Sequence, residues 1–266
     1  MNPADPVSLA ADLREMFSRT RAPQSCKVCG KTLLRLAGQV DFNRVEVFPS
    51  PFEAAGVAVE YWQCDSCGFA WAPAFDDWSD AHFERFIYNQ DIARVETPEN
   101  ASERCANIAA MLQAWFGGYP ATTRFLDYGC GPGLLVEAQR RAGFSALGYD
   151  RFSPGFSARP QGQFDVITCF EVMEHIKDID ASVDDMLSFL APGGMLILGT
   201  FLAARPLQVD WWYCSPRAGH ISFWTFPALS TVFNKRKLNV ASDGKMFSFV
   251  FPDEAKSRVM QIFAPR

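Results

Sequence analysis

Long apolar runs are missing from this 266-residue chain. No window approaches the roughly 18 apolar residues that a membrane span requires. Met1 to Ala10, with Asp5 and two prolines, lacks the apolar centre of a signal peptide. The expectation is a cytoplasmic protein without a membrane span, where thiols stay reduced. An excess of positive charge is missing too: 25 Lys and Arg face 30 Asp and Glu, for a net charge of −5. That weighs against a nucleic-acid partner, which usually meets a basic face. The short run Lys235-Arg236-Lys237 reads as a solvated helix end. Internal repeats and low-complexity segments are absent as well. What is present, 48% hydrophobic and 21% charged residues, is enough for a sizeable core.

The pattern along the chain changes near residue 98. Residues 1–24 read as a short helix, Ser8 to Arg19, and a proline-containing link. Residues 25–75 are rich in Cys, Gly and β-formers, with short strands expected over Asp41 to Phe48 and Val57 to Trp62. Residues 76–97 form an aromatic, acidic linker. From 98 to 266 strands and helices alternate. A helix from Pro98 carries Ile108, Met111, Leu112 and Trp115 on one face and stops at Gly117-Gly118. Strands are expected at Thr123 to Tyr128, Ser145 to Tyr149, Phe164 to Phe170 and Met195 to Gly199, with helices at Leu134 to Ala142, Asp180 to Leu190 and Pro227 to Lys237. This order predicts an α/β fold with a parallel sheet and right-handed crossovers.

The first strand runs into Asp127-Tyr128-Gly129-Cys130-Gly131-Pro132-Gly133, at the point where α/β sheets bind nucleotides. The glycine spacing is G-x-G-x-G; a dinucleotide fingerprint needs its third glycine at position 134, which is Leu134. No Gly-Lys-Ser/Thr follows, so this is not a P-loop. Pro132 removes a backbone N–H and Asp127 would repel a phosphate, but Asp127 suits the ammonium of an amino acid. Asp150 ends the second strand, 21 residues after Gly129, and a carboxylate there can take both ribose hydroxyls. An acid, a phosphate-free glycine turn and a second acid fit adenosine joined to methionine.

Phe125 to Gly133 resembles motif I of the class I S-adenosylmethionine-dependent methyltransferases. Phe164 to Ile176, ending Glu171-Val172-Met173-Glu174-His175, resembles their fourth-strand motif in the variant of small-molecule members such as ubiquinone-pathway O-methyltransferases and sugar methyltransferases. Leu190 to Leu198 is similar to the entry into their fifth strand. The resemblance covers about residues 100–265. It implies a Rossmann-like sheet, S-adenosyl-L-methionine as cofactor, and a cofactor site drawn from Asp127, Gly129, Cys130, Gly131, Gly133, Asp150, Arg151, Phe170 and Glu171. The chain departs from the pattern between its second and fourth strands. Only 13 residues, Arg151 to Gln163, lie there, with no Asp or Glu. A third strand is expected to be missing or vestigial, leaving Arg151, Phe152 or Phe170 to cover the adenine.

Methyl transfer from a sulfonium is an in-line displacement, so an oxygen or nitrogen acceptor needs positioning and often a base. His175 is one candidate, with Glu174 to orient it. His220 is the other, in Gly219-His220-Ile221-Ser222-Phe223-Trp224-Thr225, a segment that resembles the one after the fifth strand in sugar methyltransferases. Sugar C-methyltransferases often show Glu-His where this chain has Gly219-His220, which favours O-methylation. The aromatics Trp211, Trp212, Tyr213, Phe223 and Trp224 around His220 read as pocket walls or as core. A small-molecule acceptor, a sugar or sugar-bearing intermediate among the options, is the expected partner.

Cys26-x-x-Cys29 and Cys64-x-x-Cys67 are two knuckles whose spacing reads as a closed, structural four-cysteine zinc site in a small ribbon-like module. Cys105, Cys130, Cys169 and Cys214 do not pair by spacing and read as buried thiols. Some sugar C-methyltransferases and ribosomal-RNA methyltransferases resemble this layout, which implies that the linker, Tyr88 included, reaches the cofactor. Three alternatives stay open on the sequence: an RNA methyltransferase with the zinc module as its grip, a non-catalytic scaffold, and an NAD-dependent oxidoreductase.

Overall fold

The computed structural model describes residues 6–47, 49–95, 97–119 and 121–263. Met1–Asp5 and Phe48, the last residue of an expected strand, lie outside them. The chain forms two compact units. One gathers Met1–Glu96, Glu174–Asp178 and Leu202–Ala228; the other gathers Thr97–Met173, Ile179–Phe201 and Leu229–Arg266.

The first unit opens with helix α1 (Pro6–Ser18) and strands β1 (Leu34–Asp41), β2 (Ala58–Cys64) and β3 (Ala70–Trp71), then a short helix α2 (Asp80–Phe86). β1 pairs antiparallel with β2 and β2 with β3. The expected strand over Asp41 to Phe48 is therefore displaced. The reason lies in Asp41, whose carboxylate accepts the backbone N–H groups of Asn43 at 2.8 Å, Ala55 at 2.9 Å and Gly56 at 2.8 Å. These bonds close a loop where the alternating apolar residues had suggested a strand. Phe42 turns inward to an aromatic cluster: Phe17 lies edge-on to Phe75 with centroids 5.5 Å apart, and Phe75 lies 4.6 Å from Trp78. Such pairs add directional preference to the burial of large rings.

The second unit begins with α3 (Pro98–Phe116), whose first turn is capped by Thr97, its side chain accepting from Asn100 N. Pro98 stands where a missing N–H costs nothing. Cys105, Ile108, Ala109, Leu112 and Phe116 form its buried stripe. Then come β4 (Arg124–Tyr128), α4 (Leu134–Arg141), β5 (Ser145–Tyr149), β6 (Phe164–Phe170), α5 (Ile179–Ser188) and β7 (Leu190–Gly199). In the first unit, β8 (Ser222–Phe223) pairs with β3, completing an antiparallel sheet in the order β1-β2-β3-β8. Helix α6 (Phe226–Asn234), β9 (Asn239–Ser242), β10 (Phe247–Phe251) and α7 (Lys256–Phe263) finish the chain.

The second sheet has the order β5-β4-β6-β7-β10-β9. β5, β4, β6 and β7 are parallel; β10 runs antiparallel to both β7 and β9. This is a Rossmann-like α/β sheet with an antiparallel edge. β6, apolar apart from Asp165 and Thr168, is buried on both faces, as an interior parallel strand must be. The last parallel strand, expected at Met195 to Gly199, is β7, which begins at Leu190 and takes in Pro192-Gly193-Gly194. The register steps from Phe164↔Leu190 to Val166↔Met195, so the extra residues are absorbed as a bulge.

Among the described residues, no strand forms between β5 and β6, and β5 is left as the sheet's edge. Arg159 fixes the replacement segment: its guanidinium bonds Asp185 at 2.6 Å and Ser188 at 2.5 Å and lies 4.1 Å from the Phe189 ring centroid. Among the described residues, no helix is long and apolar enough to cross a membrane.

Candidate functional site

In the Rossmann-like unit, β4 delivers Asp127 to the carboxyl edge of the sheet, where its residue is only 3% exposed. Burial pushes the carboxyl up to about 7, the Thr168 hydrogen bond opposes that, and the charge of Asp150 adds to it. Three left-handed glycines follow, Gly129, Gly131 and Gly133. They have different jobs. A Cβ on Gly129 would lie 2.3 Å from Val172, and one on Gly133 would lie 2.3 Å from Phe156, so both are packing glycines. Gly131, with φ +53°, faces open space. It is the position at which a ligand can approach the backbone.

Asp150 follows β5. Its Oδ2 accepts from Gly131 N at 2.9 Å and its Oδ1 from Phe152 N at 2.8 Å. The carboxylate thus ties the glycine loop to the second strand. Each oxygen has a further lone pair for a hydroxyl donor. Arg151 stacks on Phe152, 4.7 Å from its ring centroid, and Phe152 is 42% exposed. Phe170 packs over Gly199 and edge-on to Phe247, which makes it a core ring. Glu171 ends β6 with φ +54°, a strained conformation for a residue with a side chain, and its N–H bonds Gly199 O at 2.8 Å. Cys130 is buried in the loop. The cavity of about 180 Å³ between Phe116, Tyr119 and Phe144 lies at the amino ends of β4 and β5, and none of these residues lines it.

In the amino-terminal unit a second cluster forms around His175 and His220, whose rings meet edge-to-face with centroids 5.1 Å apart. His220 Nδ1 lies 2.9 Å from the Tyr213 carbonyl oxygen. A carbonyl only accepts, so Nδ1 carries the proton and Nε2 keeps a lone pair. The His220 carbonyl is held by the Tyr61 hydroxyl at 2.7 Å. Tyr88 stands against His175 Nδ1 at 3.2 Å. Burial, and then the neighbouring His220, push His175 down to about 3, so it stays neutral.

Glu174 does not orient His175 as expected. Its Oε1 accepts the Tyr213 hydroxyl at 2.5 Å, while His175 Nε2 lies 3.9 Å away, beyond hydrogen-bond reach. Tyr213, Phe223 and Trp224 are fully buried and pack as core; Trp212 is exposed. The structure also accounts for Gly219. With φ +93° and a would-be Cβ 2.7 Å from His175 Nδ1, the position leaves no room for a side chain such as Glu.

The four knuckle cysteines converge in the same unit. All four Sγ atoms lie within 4.8 Å of one another, with Cys26–Cys67 and Cys29–Cys64 at 3.6 Å. Tetrahedral zinc with Zn–S bonds near 2.3 Å sets its sulfurs roughly 3.8 Å apart. The donor set and spacing therefore fit that ion, and 3.6 Å excludes a disulfide. Hydrogen bonding from Cys67 lowers Cys26, while Cys67 itself is raised. Cys105, Cys130, Cys169 and Cys214 are buried thiols outside any disulfide.

Sequence reading missed three polar side chains: the Tyr213 hydroxyl, and Thr168 and Gln139 behind Asp127. The available signal was a polar residue inside an apolar run, Thr168 in buried β6 and Gln139 beside Leu135, Val136 and Ala138 on α4.

A largely parallel sheet with a glycine loop and an acid at the carboxyl end of each of its first two strands is the architecture of nucleotide-binding α/β proteins. The family model described as "Methyltransferase domain" matches residues 92–243, more than half of the chain, and the chain belongs to that family. The ubiquinone biosynthesis O-methyltransferase of Psychrobacter arcticus is 35% identical over 36% of this chain and 48% of its own length. That of Chelativorans is 32% identical over 36% of this chain and 50% of its own. The chain thus spans about half the length of the curated relatives it matches. Among solved structures, the mitomycin 7-O-methyltransferase MmcR is 16% identical with a TM-score of 0.48, covering 67% of this chain and 63% of that one. The 1,6-didemethyltoxoflavin N1-methyltransferase of Burkholderia thailandensis is 16% identical with a TM-score of 0.47, covering 70% and 96%.

Proposed function

We propose that this chain transfers the methyl group of S-adenosylmethionine to a hydroxyl of a small molecule. The observation that carries the reading is the pairing of Gly131, open to a ligand, with the Asp150 carboxylate bound to its N–H. Asp127 takes the cofactor's ammonium, Asp150 its ribose hydroxyls, and the exposed Arg151–Phe152 pair covers the adenine. The strained Glu171 holds the end of β6 beside them. When bound, the cofactor supplies an activated sulfonium methyl. His220 Nε2 receives the acceptor's proton, with Nδ1 anchored on the Tyr213 carbonyl. Neutral His175, backed by Tyr88, donates or accepts a hydrogen bond to orient the acceptor. Cys26, Cys29, Cys64 and Cys67 hold one structural zinc, whose four thiolates leave no coordination site for a substrate. The O-methyltransferase names of the curated relatives support an oxygen acceptor. A sugar or sugar-bearing intermediate is one acceptor class, and an aromatic hydroxyl is the other.

Calorimetric titration with S-adenosylmethionine, with NAD as control, tests the cofactor. Asp150→Asn keeps a loop-anchoring acceptor but loses the charge, and it is expected to weaken binding about 10- to 100-fold. Binding of NAD in preference, or an unchanged affinity in the variant, would overturn the assignment. Label transfer from methyl-labelled cofactor to a panel of sugars and phenols then identifies the acceptor class.

A further inference from the structure

Behind Asp127 the core contains a line of polar side chains that neither strand pairing nor packing requires. Thr168 on β6 and Gln139 on α4 are both fully buried. Thr168 Oγ1 lies 2.7 Å from Asp127 Oδ1 and 3.4 Å from the Leu126 carbonyl oxygen. Gln139 Nε2 lies 3.3 Å from Thr168 Oγ1. Its own Oε1 is buried without a hydrogen-bond partner. An amide placed for its own satisfaction would not leave that oxygen unmet, because an unpaired buried acceptor costs about 1–3 kcal/mol. What the arrangement preserves is the donation from Nε2.

The direction of each hydrogen bond follows from valence. The Gln139 amide N–H can only donate, so it occupies a lone pair of the Thr168 oxygen. The single hydroxyl proton of Thr168 is then free for an acceptor, and the Asp127 carboxylate is the nearer and the stronger one. We infer that Thr168 and Gln139 are positioning residues for the cofactor's ammonium, a two-step donor chain that keeps Asp127 charged and aimed. This rests on the reading of Asp127 as the ammonium partner. It adds two side chains that no contact with the cofactor itself would reveal.

The electrostatic setting makes such a chain necessary. Asp127 is buried, and Asp150 beyond the end of β5 repels its charge; against the opposing Thr168 hydrogen bond they push it up to about 7. The Cys130 thiol in the glycine loop faces the same carboxylates and is pushed up to about 12, chiefly by burial, so it stays neutral. From β6 comes Thr168 and from α4 Gln139, and neither titrates. The Thr168 hydroxyl is the group that opposes the rise at Asp127, so removing its donation should push that carboxyl further toward the neutral acid.

The test is affinity for S-adenosylmethionine in the full chain, by calorimetry at pH 5.5, 6.5, 7.5 and 8.5. The wild type is expected to bind more tightly as pH rises, approaching tenfold per unit below about 7 and levelling above it. Thr168→Val removes the donor at nearly constant volume. It is expected to weaken binding about tenfold at pH 7 and to recover most of that by pH 8.5, while Thr168→Ser behaves as wild type. Gln139→Met is expected to move the profile the same way by a smaller amount, and it remains informative if Thr168→Val fails to fold. Equal weakening at every pH, or an unchanged profile in both variants, would mean that the two residues only fill space, and the inference falls. Absence of wild-type binding at every pH would remove the cofactor reading itself, and this inference with it.

Discussion

The two units of this chain reach order by different means. Each gathers three stretches of chain, but the Rossmann-like unit stacks six neighbouring strands in one sheet, so each hydrogen bond is supported by the next. The amino-terminal unit collects three separate stretches, Met1–Glu96, Glu174–Asp178 and Leu202–Ala228, around a small sheet, a cluster of aromatic rings and four thiols. β3 and β8 contribute two residues each to that sheet. Strands this short carry few ladder bonds, so the ordering of the unit falls to ring packing and to whatever holds the cysteines. The difference implies that the first kind of unit resists local damage, while the second depends on one centre.

The strongest way to break that comparison is to remove the proposed metal. Cys64→Ser is expected to abolish bound zinc, read as close to one metal per chain in the wild type and near none in the variant by elemental mass spectrometry. Structural zinc contributes about 10–16 kcal/mol in small modules, so the amino-terminal unit should lose cooperative unfolding altogether. S-adenosylmethionine binding should survive, because Asp127, Gly131 and Asp150 belong to the other unit. Loss of both together would show that the units are not held separately. Full stability and a metal-free wild type would refute the zinc assignment.

The same contrast explains what was legible in the sequence. β5 and β6 begin and end where the sequence places them: turn residues bound both, and the interior β6 is written as a nearly contiguous apolar run. The glycine loop and its two acids are local features as well. The four cysteines could be read because metal-ligand spacing is a short-range signal. The site around His220 was legible only in part. His175 and His220 stand 45 positions apart in the sequence. Their partners, Tyr88 and the Tyr213 carbonyl, come from two further positions. Glu174, next to His175 in sequence, accepts the Tyr213 hydroxyl, a partner 39 positions away. Asp41 shows the limit from the other side. Its neighbours Phe42, Val45 and Val47 alternate like a strand, but three backbone donors converging on one carboxylate outweigh a pattern of side chains.

A smaller effect sharpens the division of labour. His220→Gln is expected to lower kcat by about 10²- to 10⁴-fold with S-adenosylmethionine affinity unchanged, since general-base catalysis contributes on that order. Gly219→Ala should act through His175, because the new methyl meets Nδ1 at 2.7 Å and the backbone sits at φ +93°. The expected signature is a fall of about tenfold in kcat/KM for the acceptor, with the cofactor's Kd intact. Cofactor affinity that drops in either variant would assign these residues to the wrong ligand.

The weakest expected effect concerns the segment that stands in place of a third strand. Arg159 is 48% exposed at its side chain, and its ion pair with Asp185 is of the kind that contributes only about 0–1 kcal/mol. Its stacking on Phe189 adds a comparable amount. Arg159→Ala is therefore expected to cost about 1 kcal/mol in denaturant unfolding. Its consequence for binding should be larger than that cost suggests. The residues it pins run directly back to Asp150, whose backbone N–H bonds Phe156 O at 3.0 Å and whose carboxylate holds Gly131. Loosening the segment should weaken S-adenosylmethionine a few-fold and raise amide exchange over residues 151–158, without altering zinc content. If affinity stays constant while exchange rises, the segment serves only to cover the edge of β5. Arg151 and Phe152 would then have no part in holding the adenine.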